Sequence, residues 1–561
     1  MKTLLVAINA KYEHEGLAVW YLKAACQMQN IAAKVMQYSI NDSAQRVWSS
    51  IMEEMPDVVA FSCYIWNRDQ IIRLMGDLKK SRPQCIMVVG GPEVTYEGSE
   101  TEFLGLGADF IIKGEGESQL PQLLEAIRKR GIEGGKDLLS SSTCCQEPLG
   151  YISPFVPEYL QRIRDRIAYI ESSRGCPYRC TYCLSSEGGE LVLYPLDEVK
   201  KDIDALVESG AKVIKFVDRS FNVHEKHSLS IWEYIRKFPK ERVTFHFEIN
   251  PDRLTKMQME SLLSMPEGLV QLEAGIQSVH PETLKEVARV MDVERALLNL
   301  KVLTEKGNLH IHTDLIAGLP YEDLDSFKES FNRVYRIGAH HLQLGFLKLL
   351  HGTRIRREAT KHGYKYREYA PYEVLENQYL SSEDMLLLKA VEEVLDRTYN
   401  SGRFDATLEV LEKAFSSPFQ LYEALAHYLR EQNLIYQPIA ANRLFELLRS
   451  FALERKELDI LILDSALAMD YACTMKNTVL PDFLSDSPVE VLDARALLEP
   501  RLGEDWRKEY RKRFMVLSGI FTLKKGEDSR PIENKIVVDM TRVNPVTGRV
   551  IPYPYDNSLP L

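Results

Sequence analysis

Residues 166–183 read RIAYIESSRGCPYRCTYC. Both the fold and the chemistry of the chain can be predicted from this stretch. A short apolar strand runs directly into a loop that carries Cys176, Cys180 and Cys183. Thiolates so close together can surround one soft-metal centre, which favours an iron–sulfur cluster or zinc. A structural zinc site needs four protein ligands, and after Cys183 the next Cys or His is His224. The spacing therefore indicates a [4Fe–4S] cluster with one iron left free, and structural zinc remains the alternative.

The strand at 166–172 opens a series of apolar strands that alternate with helical segments. Five more strands are predicted, at 211–218, 242–250, 268–277, 310–318 and 340–350. Six β/α repeats are too many for a second small open sheet and too few for an eightfold barrel. We expect a partial (βα)6 TIM barrel over residues 166–365, with its chemistry at the carboxyl ends of the strands.

The same alternation precedes this block. Short apolar strands are predicted at 3–8, 33–39, 57–63, 85–91 and 109–114. Continuous apolar strands joined by helices are typical of a parallel sheet. We expect residues 1–135 to form a doubly wound, Rossmann-like (flavodoxin-like) domain, whose ligands bind beyond the carboxyl ends of the strands. The overall class is therefore α/β.

Two further regions complete the predicted organisation. Residues 136–165, rich in Gly and Ser and carrying Cys144 and Cys145, resemble a linker. Residues 366–561 are predicted to form a mainly helical carboxy-terminal domain that ends in a β-hairpin. Helices packed beside a partial barrel can close its open side.

Composition restricts the function classes. The formal net charge is −11, from 70 Lys and Arg against 81 Asp and Glu, which argues against nucleic acid as a partner. No apolar stretch is long enough to span a membrane, and the first residues lack a signal-peptide pattern. The nine cysteines are an odd number and three of them cluster, so they do not suggest a disulfide framework. A cytoplasmic enzyme is the expectation.

The pattern C-x-x-x-C-x-x-C, with an aromatic residue before the last cysteine, resembles the radical S-adenosylmethionine (SAM) superfamily. Four other segments are similar to motifs of that superfamily: FVDRSFN (216–222), LEAGIQS (272–278), TDLIAGLPYED (313–323) and LKLLHGT (347–353). The resemblance implies that SAM binds the free iron and is split by one electron into a 5′-deoxyadenosyl radical. In such enzymes the cofactors supply the chemistry, and the protein positions them.

The resemblance also implies roles for particular residues. Cys176, Cys180 and Cys183 are the implied cluster ligands and the catalytic centre. Asp218 and Arg219 are implied near the methionyl part of SAM, although the chain lacks the usual Gly-Gly-Glu pattern there. The implied ribose contacts are Glu248, Gln277 and Ser278. A hydrogen bond at the barrel rim without cofactor contact is the alternative for each polar residue.

Three strand ends of the first domain carry turn or polar residues. The segments are SCY (62–64), GGPEVT (90–95) and KGEGE (113–117), and no G-x-G-x-x-G follows the first strand. Ahead of a radical SAM block, these segments resemble the cobalamin-binding domain of cobalamin-dependent radical SAM enzymes. The implied cofactor contacts are Ser62, Tyr64, Gly90, Gly91, Pro92, Glu93, Gly114 and Glu115.

The first loop, KYEHEG (11–16), departs from the Asp-x-His-x-x-Gly pattern of methionine-synthase-like cobalamin domains. Tyr12 stands where Asp is expected, and Gly16 comes one position early. His14 is therefore not expected to be the cobalt ligand.

The resemblance leads to a functional hypothesis with two alternatives. The chain is expected to use a [4Fe–4S] cluster, SAM and cobalamin to methylate an unactivated centre of a small-molecule or peptide substrate. An electron donor such as flavodoxin or ferredoxin is implied, and a membrane partner is not. The first alternative is a cobalamin-assisted radical rearrangement, cyclisation or reduction without methyl transfer. The second is an Fe–S-dependent protein that modifies or binds RNA.

Overall fold

The amino-terminal domain is built on a parallel sheet of five strands. The computed structural model describes residues 1–140, 150–186, 190–476, 478–502, 513–522 and 532–555, so Cys144 and Cys145 lie outside the described residues. The strands are β1 (Thr3–Asn9), β2 (Ala33–Ser39), β3 (Val58–Ser62), β4 (Ile86–Gly90) and β5 (Phe110–Ile112). Their order is β2-β1-β3-β4-β5, with every pair parallel. This order is flavodoxin-like and confirms the predicted doubly wound domain.

Helices cover both faces of this sheet. They are α1 (Leu17–Met28), α2 (Ala44–Glu53), α3 (Arg68–Ser81), α4 (Ser99–Gly105) and α5 (Gly116–Ser140). Leu5 and Ala7 of β1 lie in one core with residues of α1 and α5, and Leu4 and Val6 lie in a second core with residues of α2, α3 and α4. Because successive side chains point to opposite faces, a strand buried on both sides must be apolar throughout.

The segment predicted as a linker contains helical structure at both ends. The helix α5 continues to residue 140, with non-helical backbone at Arg130 and Gly131. A further helix, α6 (Pro157–Arg162), precedes the second domain.

The second domain is a partial barrel of six parallel strands. The chain runs through β6 (Ile167–Ile170), β7 (Ser173–Arg174), β8 (Val192–Leu193), β9 (Val213–Phe216), β10 (Thr244–Ile249), β11 (Val270–Gln277), β12 (His310–Ala317) and β13 (His341–Phe346). The sheet order is β13-β12-β11-β10-β9-β6, while β7 and β8 form a separate antiparallel pair. The predicted (βα)6 arrangement is confirmed.

The barrel helices alternate with its strands. They are α7 (Leu196–Glu208), α8 (Glu225–Ile235), α9 (Lys256–Leu263), α10 (Pro281–Glu286), α11 (Val293–Lys306) and α12 (Leu324–Tyr335). Side-chain caps fix several helix starts: Thr255 and Gln258 form a capping box at α9, and the carboxylates of Asp292 and Asp323 accept backbone N–H groups at α11 and α12. Such caps satisfy donors that have no partner within the helix.

The carboxy-terminal region is mainly helical, as predicted. The elements that follow β13 are α13 (Arg354–Arg357), β14 (Lys365–Tyr366), β15 (Val374–Glu376), α14 (Ser382–Arg397), α15 (Asp405–Glu412), α16 (Pro418–Glu431), α17 (Ala441–Leu453), α18 (Ile460–Met475), β16 (Glu490–Leu492), α19 (Ala494–Leu502), β17 (Phe514–Phe521), β18 (Ile532–Asp539) and β19 (Tyr553–Pro554). The expected hairpin, β17 with β18, belongs to a four-stranded antiparallel sheet in the order β16-β17-β18-β19. Short 3₁₀ helices lie at Pro92–Val94, Leu184–Ser186, Phe221–Val223, Pro251–Arg253, Ala359–His362 and Asp482–Leu484.

The carboxy-terminal region covers the open edge of the barrel at β13. The side-chain amide of Asn400, which follows α14, accepts a hydrogen bond from Leu342 N at 2.9 Å and donates one to Leu342 O at 2.9 Å. An edge strand presents unpaired backbone groups that natural proteins cover or pair. The Asn400 side chain therefore pairs with backbone groups of β13 that a further strand would otherwise pair with. The helix α14 lies beside this edge, where the barrel would otherwise be open.

Among the described helices, none combines the length and the apolar character that crossing a membrane requires.

Candidate functional site

The three clustered cysteines lie together on the loop after β7, at the carboxyl end of the first barrel strand. Cys176 and Cys180 are each only 7% exposed, and Cys183 is half-buried. Gly175 starts the loop with φ of 95°, and a Cβ atom there would lie 2.7 Å from the Glu190 carbonyl oxygen. Only glycine suits this turn, because it combines a left-handed backbone with close approach to a neighbouring chain segment.

Backbone bonds hold the loop in place from two sides. Thr181 N donates to Val287 O at 3.0 Å, and Thr181 O accepts from Ile355 N at 3.0 Å. The Ser186 hydroxyl donates to Cys183 O at 2.6 Å. The Cys176 Sγ atom lies 3.8 Å from Ser220 Oγ, in the segment after β9. The thiols are therefore preorganised by the barrel and by α13.

The three cysteine sulfur atoms do not all lie within 4.8 Å of one another. Two groups of His, Asp or Glu side chains in the described residues bring three ligand atoms within 4.8 Å of one another, and neither group includes a cysteine. Thiolates on one tetrahedral zinc ion lie about 3.8 Å apart, from Zn–S bonds of about 2.3 Å. A cluster spreads its ligands wider, because each thiolate binds a different iron.

A cation that the sequence analysis missed lies beside this loop. Arg289 Nη1 is 4.0 Å from the Cys180 sulfur and donates to the Tyr182 hydroxyl at 3.5 Å, while Nη2 donates to the Gly275 carbonyl. Its Nε atom is buried and makes no hydrogen bond. None of these partners in the described part of the chain is a carboxylate. Since a shielded cation needs a negative partner, Arg289 fits a thiolate-ligated anionic cluster at this position.

Asp218, which the resemblance places near SAM, accepts hydrogen bonds from the segment just before the cysteine loop. It is 2% exposed and accepts hydrogen bonds from Ser172 N at 3.0 Å, Ser172 Oγ at 2.7 Å and Ser173 Oγ at 2.5 Å. Burial raises the pKa of this carboxyl to about 6. Asp218 therefore ties the end of β9 to the start of the cysteine loop.

Arg219 and Glu248 form the accessible polar pair at the barrel mouth. The Arg219 guanidinium lies 3.7 Å from the Glu248 carboxylate, with Arg219 exposed and Glu248 half-buried. Burial raises the pKa of Glu248 to about 7, and the charge of Arg219 opposes that rise. These two side chains remain available to a ligand at the mouth.

Gln277 and Ser278 lie at an irregular end of β11. The register between β11 and β12 shifts between Gly275 and Gln277, and Gln277 has φ of 73°. A non-glycine residue in this region is strained, and such positions cluster at functional sites. Ser278 is fully buried and donates to Glu322 at 2.6 Å, so its hydroxyl serves an internal network.

The interior face of the barrel carries charged and imidazole side chains that the sequence analysis did not single out. On β10 and β11, His246 Nε2 lies 3.1 Å from the Glu273 carboxylate. On β12, His312 Nε2 lies 2.8 Å from Asp314 Oδ1. The alternation of these residues with buried Leu272 and Ile311 is visible in the sequence as polar residues at every second strand position.

Loops of the amino-terminal domain contact the barrel next to the cysteine loop. Arg174, two residues before Cys176, forms ion pairs with Glu115 at 3.2 Å and with Glu117 at 3.0 Å, after β5. Glu15 is 1% exposed in the loop after β1 and pairs with Arg166 at 2.7 Å. These ion pairs join the ligand-binding edge of the five-stranded sheet to the first strand of the barrel.

Glu93 and Gly91, which the resemblance implies as cobalamin contacts, also have structural roles. Glu93, 2% exposed, accepts a hydrogen bond from the Tyr372 hydroxyl at 2.8 Å and lies 3.4 Å from Arg68. At Gly91, φ is 107° and a Cβ atom would lie 2.5 Å from the Cys63 carbonyl oxygen. Glu93 therefore links the first domain to the segment after the barrel, and Gly91 permits the close approach of two strand ends.

The remaining residues implied in cobalamin contact lie at or just after the ends of β3, β4 and β5. Tyr64 stacks on Trp66 with ring centroids 4.4 Å apart, and Trp66 is 44% exposed. The space where a Cβ atom of Gly114 would lie is open. Ser62 and Gly90 end adjacent strands, and Pro92 starts a 3₁₀ helix.

The histidine of the first loop, His14, packs against the first barrel strand. The His14 ring packs edge-on against Tyr169 with centroids 5.6 Å apart, and its carbonyl accepts a hydrogen bond from Asn9. Burial lowers the pKa of His14.

The chain joins a Rossmann-like five-stranded domain to a partial barrel that carries three clustered thiols. Family models match the chain in three parts: the B12 binding domain at residues 3–124, the Radical SAM superfamily at 170–334, and a protein of unknown function (DUF4080) at 360–509. The chain therefore carries a B12 binding domain followed by a radical SAM domain, the pair that cobalamin-dependent radical SAM enzymes combine. These domains imply a [4Fe–4S] cluster, SAM and cobalamin as cofactors.

Individual relatives agree with this assignment. The chain is 24% identical over 330 residues to the 2-(S-pantetheinyl)-carbapenam-3-carboxylate methyltransferase of Streptantibioticus cattleyicolor, covering 53% of this chain and 47% of that protein. It is 27% identical over 278 residues to the hopanoid C-3 methylase of Methylococcus capsulatus, covering 47% of this chain and 53% of that protein. The chain thus spans about half the length of these curated relatives.

A solved structure shares the fold over most of the chain. The cobalamin-dependent SAM radical enzyme OxsB, with aqua-cobalamin bound, superposes with a TM-score of 0.54 at 15% identity, covering 84% of each chain.

The position of Arg289 predicts an effect on the cluster potential. Replacing it by Gln removes a positive charge beside a cluster ligand, so the reduction potential should fall by an amount on the order of 100 mV. An EPR-monitored redox titration of the reconstituted protein measures it. Arg289→Lys keeps the charge and should recover most of the potential. Equal potentials in wild type and Arg289→Gln would show that the guanidinium does not act on the cluster.

The buried Glu322 predicts a pH-dependent stability. Its carboxyl accepts from Ser278 and Ser330, its Oε2 atom has no hydrogen-bond partner, and burial raises its pKa to about 7. The folded state therefore binds this proton more tightly than the unfolded state, so the stabilisation declines between the ordinary carboxyl pKa and about pH 7. Glu322→Gln should stabilise the protein by about 1–3 kcal/mol at pH 8 and change little at pH 5. Thermal unfolding at both pH values measures this, and a destabilised variant at pH 8 would contradict it.

Proposed function

We propose that this chain methylates an unactivated carbon or phosphorus centre of a small-molecule or peptide substrate, using SAM, a [4Fe–4S] cluster and cobalamin. Two of its relatives are named as a methyltransferase and a methylase. The domain pair supports the same type of chemistry. The proposed functional division is 1–135 for cobalamin, 136–165 as connection, 166–365 for the radical chemistry and 366–561 as a covering domain.

The observation that carries the proposal is the contact between the two cofactor domains at the cysteine loop. Arg174 lies two residues from Cys176 and forms ion pairs with Glu115 and Glu117 after β5. Parallel α/β sheets bind ligands beyond the carboxyl ends of their strands. Both ligand-binding edges thus meet at one place, as a reaction that uses two cofactors on one substrate requires.

The residues of this site have separable roles in the proposal. Cys176, Cys180 and Cys183 hold the cluster, and Arg289 balances its charge. Arg219, Glu248 and Gln277 remain as contacts for SAM. When bound, the cluster with SAM supplies a carbon-centred radical, and cobalamin supplies the methyl group.

The surrounding elements cover part of this site. Tyr372 holds the loop of Glu93 against the segment after β13, and α14 covers the barrel edge. A radical intermediate needs such protection, because solvent or side chains quench it. The proposed location is the cytoplasm, where a small reduced flavodoxin or ferredoxin supplies the electron.

Isotope transfer tests the proposal directly. The reduced, cofactor-loaded enzyme is incubated with SAM labelled on its methyl group and with fractions of a small-molecule and peptide extract. We expect the label in a new product together with 5′-deoxyadenosine, because one SAM supplies the radical and another the methyl group. Liquid chromatography with mass spectrometry detects both.

A matched control distinguishes the outcomes. The variant with Cys176, Cys180 and Cys183 all replaced by Ala should form neither product while still binding hydroxocobalamin. If 5′-deoxyadenosine forms and substrate is converted without label in the product, the reaction is a rearrangement, cyclisation or reduction and the methyl-transfer proposal is wrong.

A further inference from the structure

The interior of the barrel contains a second group of ligand-type side chains, separate from the cysteine loop. Glu273 of β11 and His312 of β12 are neighbours in the parallel register, and Asp314 lies two residues further along β12 on the same face. One carboxylate or imidazole atom from each residue lies within 4.8 Å of the other two. All three side chains are half-buried. Adjacent strands thus bring one nitrogen and two oxygen donors to a common point.

The geometry between His312 and Asp314 is unusual for an ion pair. His312 Nε2 and Asp314 Oδ1 are 2.8 Å apart and shielded from solvent, at an angle outside that of a well-formed hydrogen bond. The oxygen therefore lies away from the direction in which the ring nitrogen donates or accepts. Buried polar atoms that leave their hydrogen-bonding capacity unused need another partner. Two lone-pair atoms side by side are placed as ligands of one cation are placed.

The neighbours of the group support a cation at this point. His246 Nε2, in a side chain that is 8% exposed, lies 3.1 Å from Glu273 Oε2 and orients that carboxylate. Imidazole–carboxylate contacts of this kind orient metal ligands in proteins. Lys215 acts electrostatically on Glu273 and His312. Glu273 and Asp314 thus bring two carboxylates to this point, where Lys215 and the imidazole of His312 are neighbouring basic groups.

We propose that Glu273, His312 and Asp314 bind a divalent first-row cation such as Mn²⁺ or Zn²⁺, in addition to the cluster and to cobalamin. Mixed imidazole and carboxylate donors suit such ions. Three protein ligands leave coordination positions for water or for an oxygen or nitrogen atom of the substrate. The site lies on the inward face of strands whose carboxyl ends form the barrel mouth, so it is placed to bind the part of a substrate that enters the barrel.

A second group in the chain provides a matched control. Glu286, Glu358 and His362 also place ligand atoms within 4.8 Å of one another. There the potential ligands have protein partners: His362 contacts the Tyr379 hydroxyl at 3.2 Å and Glu286 at 3.1 Å, and Lys361 pairs with Glu286. This group should not bind the ion, because its donors already satisfy one another.

Metal titration of the full chain tests the proposal. The protein is loaded with oxidised cluster and cobalamin, dialysed against chelator and titrated with Mn²⁺, and EPR measures the free ion. Equilibrium dialysis with elemental analysis measures Zn²⁺ in a parallel arm. We expect one ion per chain for at least one metal. Asp314→Asn and His312→Gln should each weaken binding by at least about 10-fold, and Glu358→Gln should leave it unchanged.

Three results would overturn the proposal. They are no saturable binding of either ion up to about 1 mM, unchanged affinity in both barrel variants, and loss of binding in Glu358→Gln instead. Iron and cobalamin contents show whether each variant is folded and loaded, and Glu273→Gln supplies a third barrel variant if one fails to fold. Because binding is measured without turnover, a negative result here leaves the methyl-transfer proposal untouched.

Discussion

The charge of Arg289 beside the cysteine loop is the constraint on which the site depends. Arg289 is half-buried, and a guanidinium that loses part of its hydration without a carboxylate partner is costly to place. Its contacts are the Cys180 sulfur, the Tyr182 hydroxyl and the Gly275 carbonyl. The cost is offset when the thiols are ionised and carry a cluster. Arg289 also connects the cysteine loop to Gly275, where the register of β11 shifts. The cluster ligands and the proposed SAM contact at Gln277 are therefore held in fixed positions relative to one another.

A second set of charges fixes how the two cofactor domains meet. Glu15 is buried and pairs with Arg166, and Arg174 pairs with Glu115 and Glu117. Partly buried pairs between domains lose more when one partner is removed than exposed pairs do. The edge of the first sheet is thus held at the first strand of the barrel. This relative position is the one that the proposed reaction of two cofactors on one substrate requires.

Much of this organisation could be predicted from local sequence. Continuous apolar runs specify parallel strands, and the spacing of Cys176, Cys180 and Cys183 specifies a loop that binds a soft metal centre. The functions of single polar residues were harder to predict, because they depend on partners far away in the sequence. Asp218 bonds to residues 45 and 46 positions earlier, and Glu93 to Tyr372, 279 positions later. The alternation of polar and apolar residues along β12 is visible in the sequence. Whether its polar side chains can bind a ligand depends on which face of the strand points into the barrel.

The central claim is that three thiols hold a cluster with one iron open to SAM. EPR spectroscopy of the anaerobically purified, reduced protein with and without SAM tests it most directly, together with metal analysis. The account predicts about four iron atoms per chain in the cluster, and a cluster signal that changes when SAM is added. Zinc bound by the cysteines, or a signal that SAM leaves unchanged because a fourth side chain occupies the open iron, would contradict it.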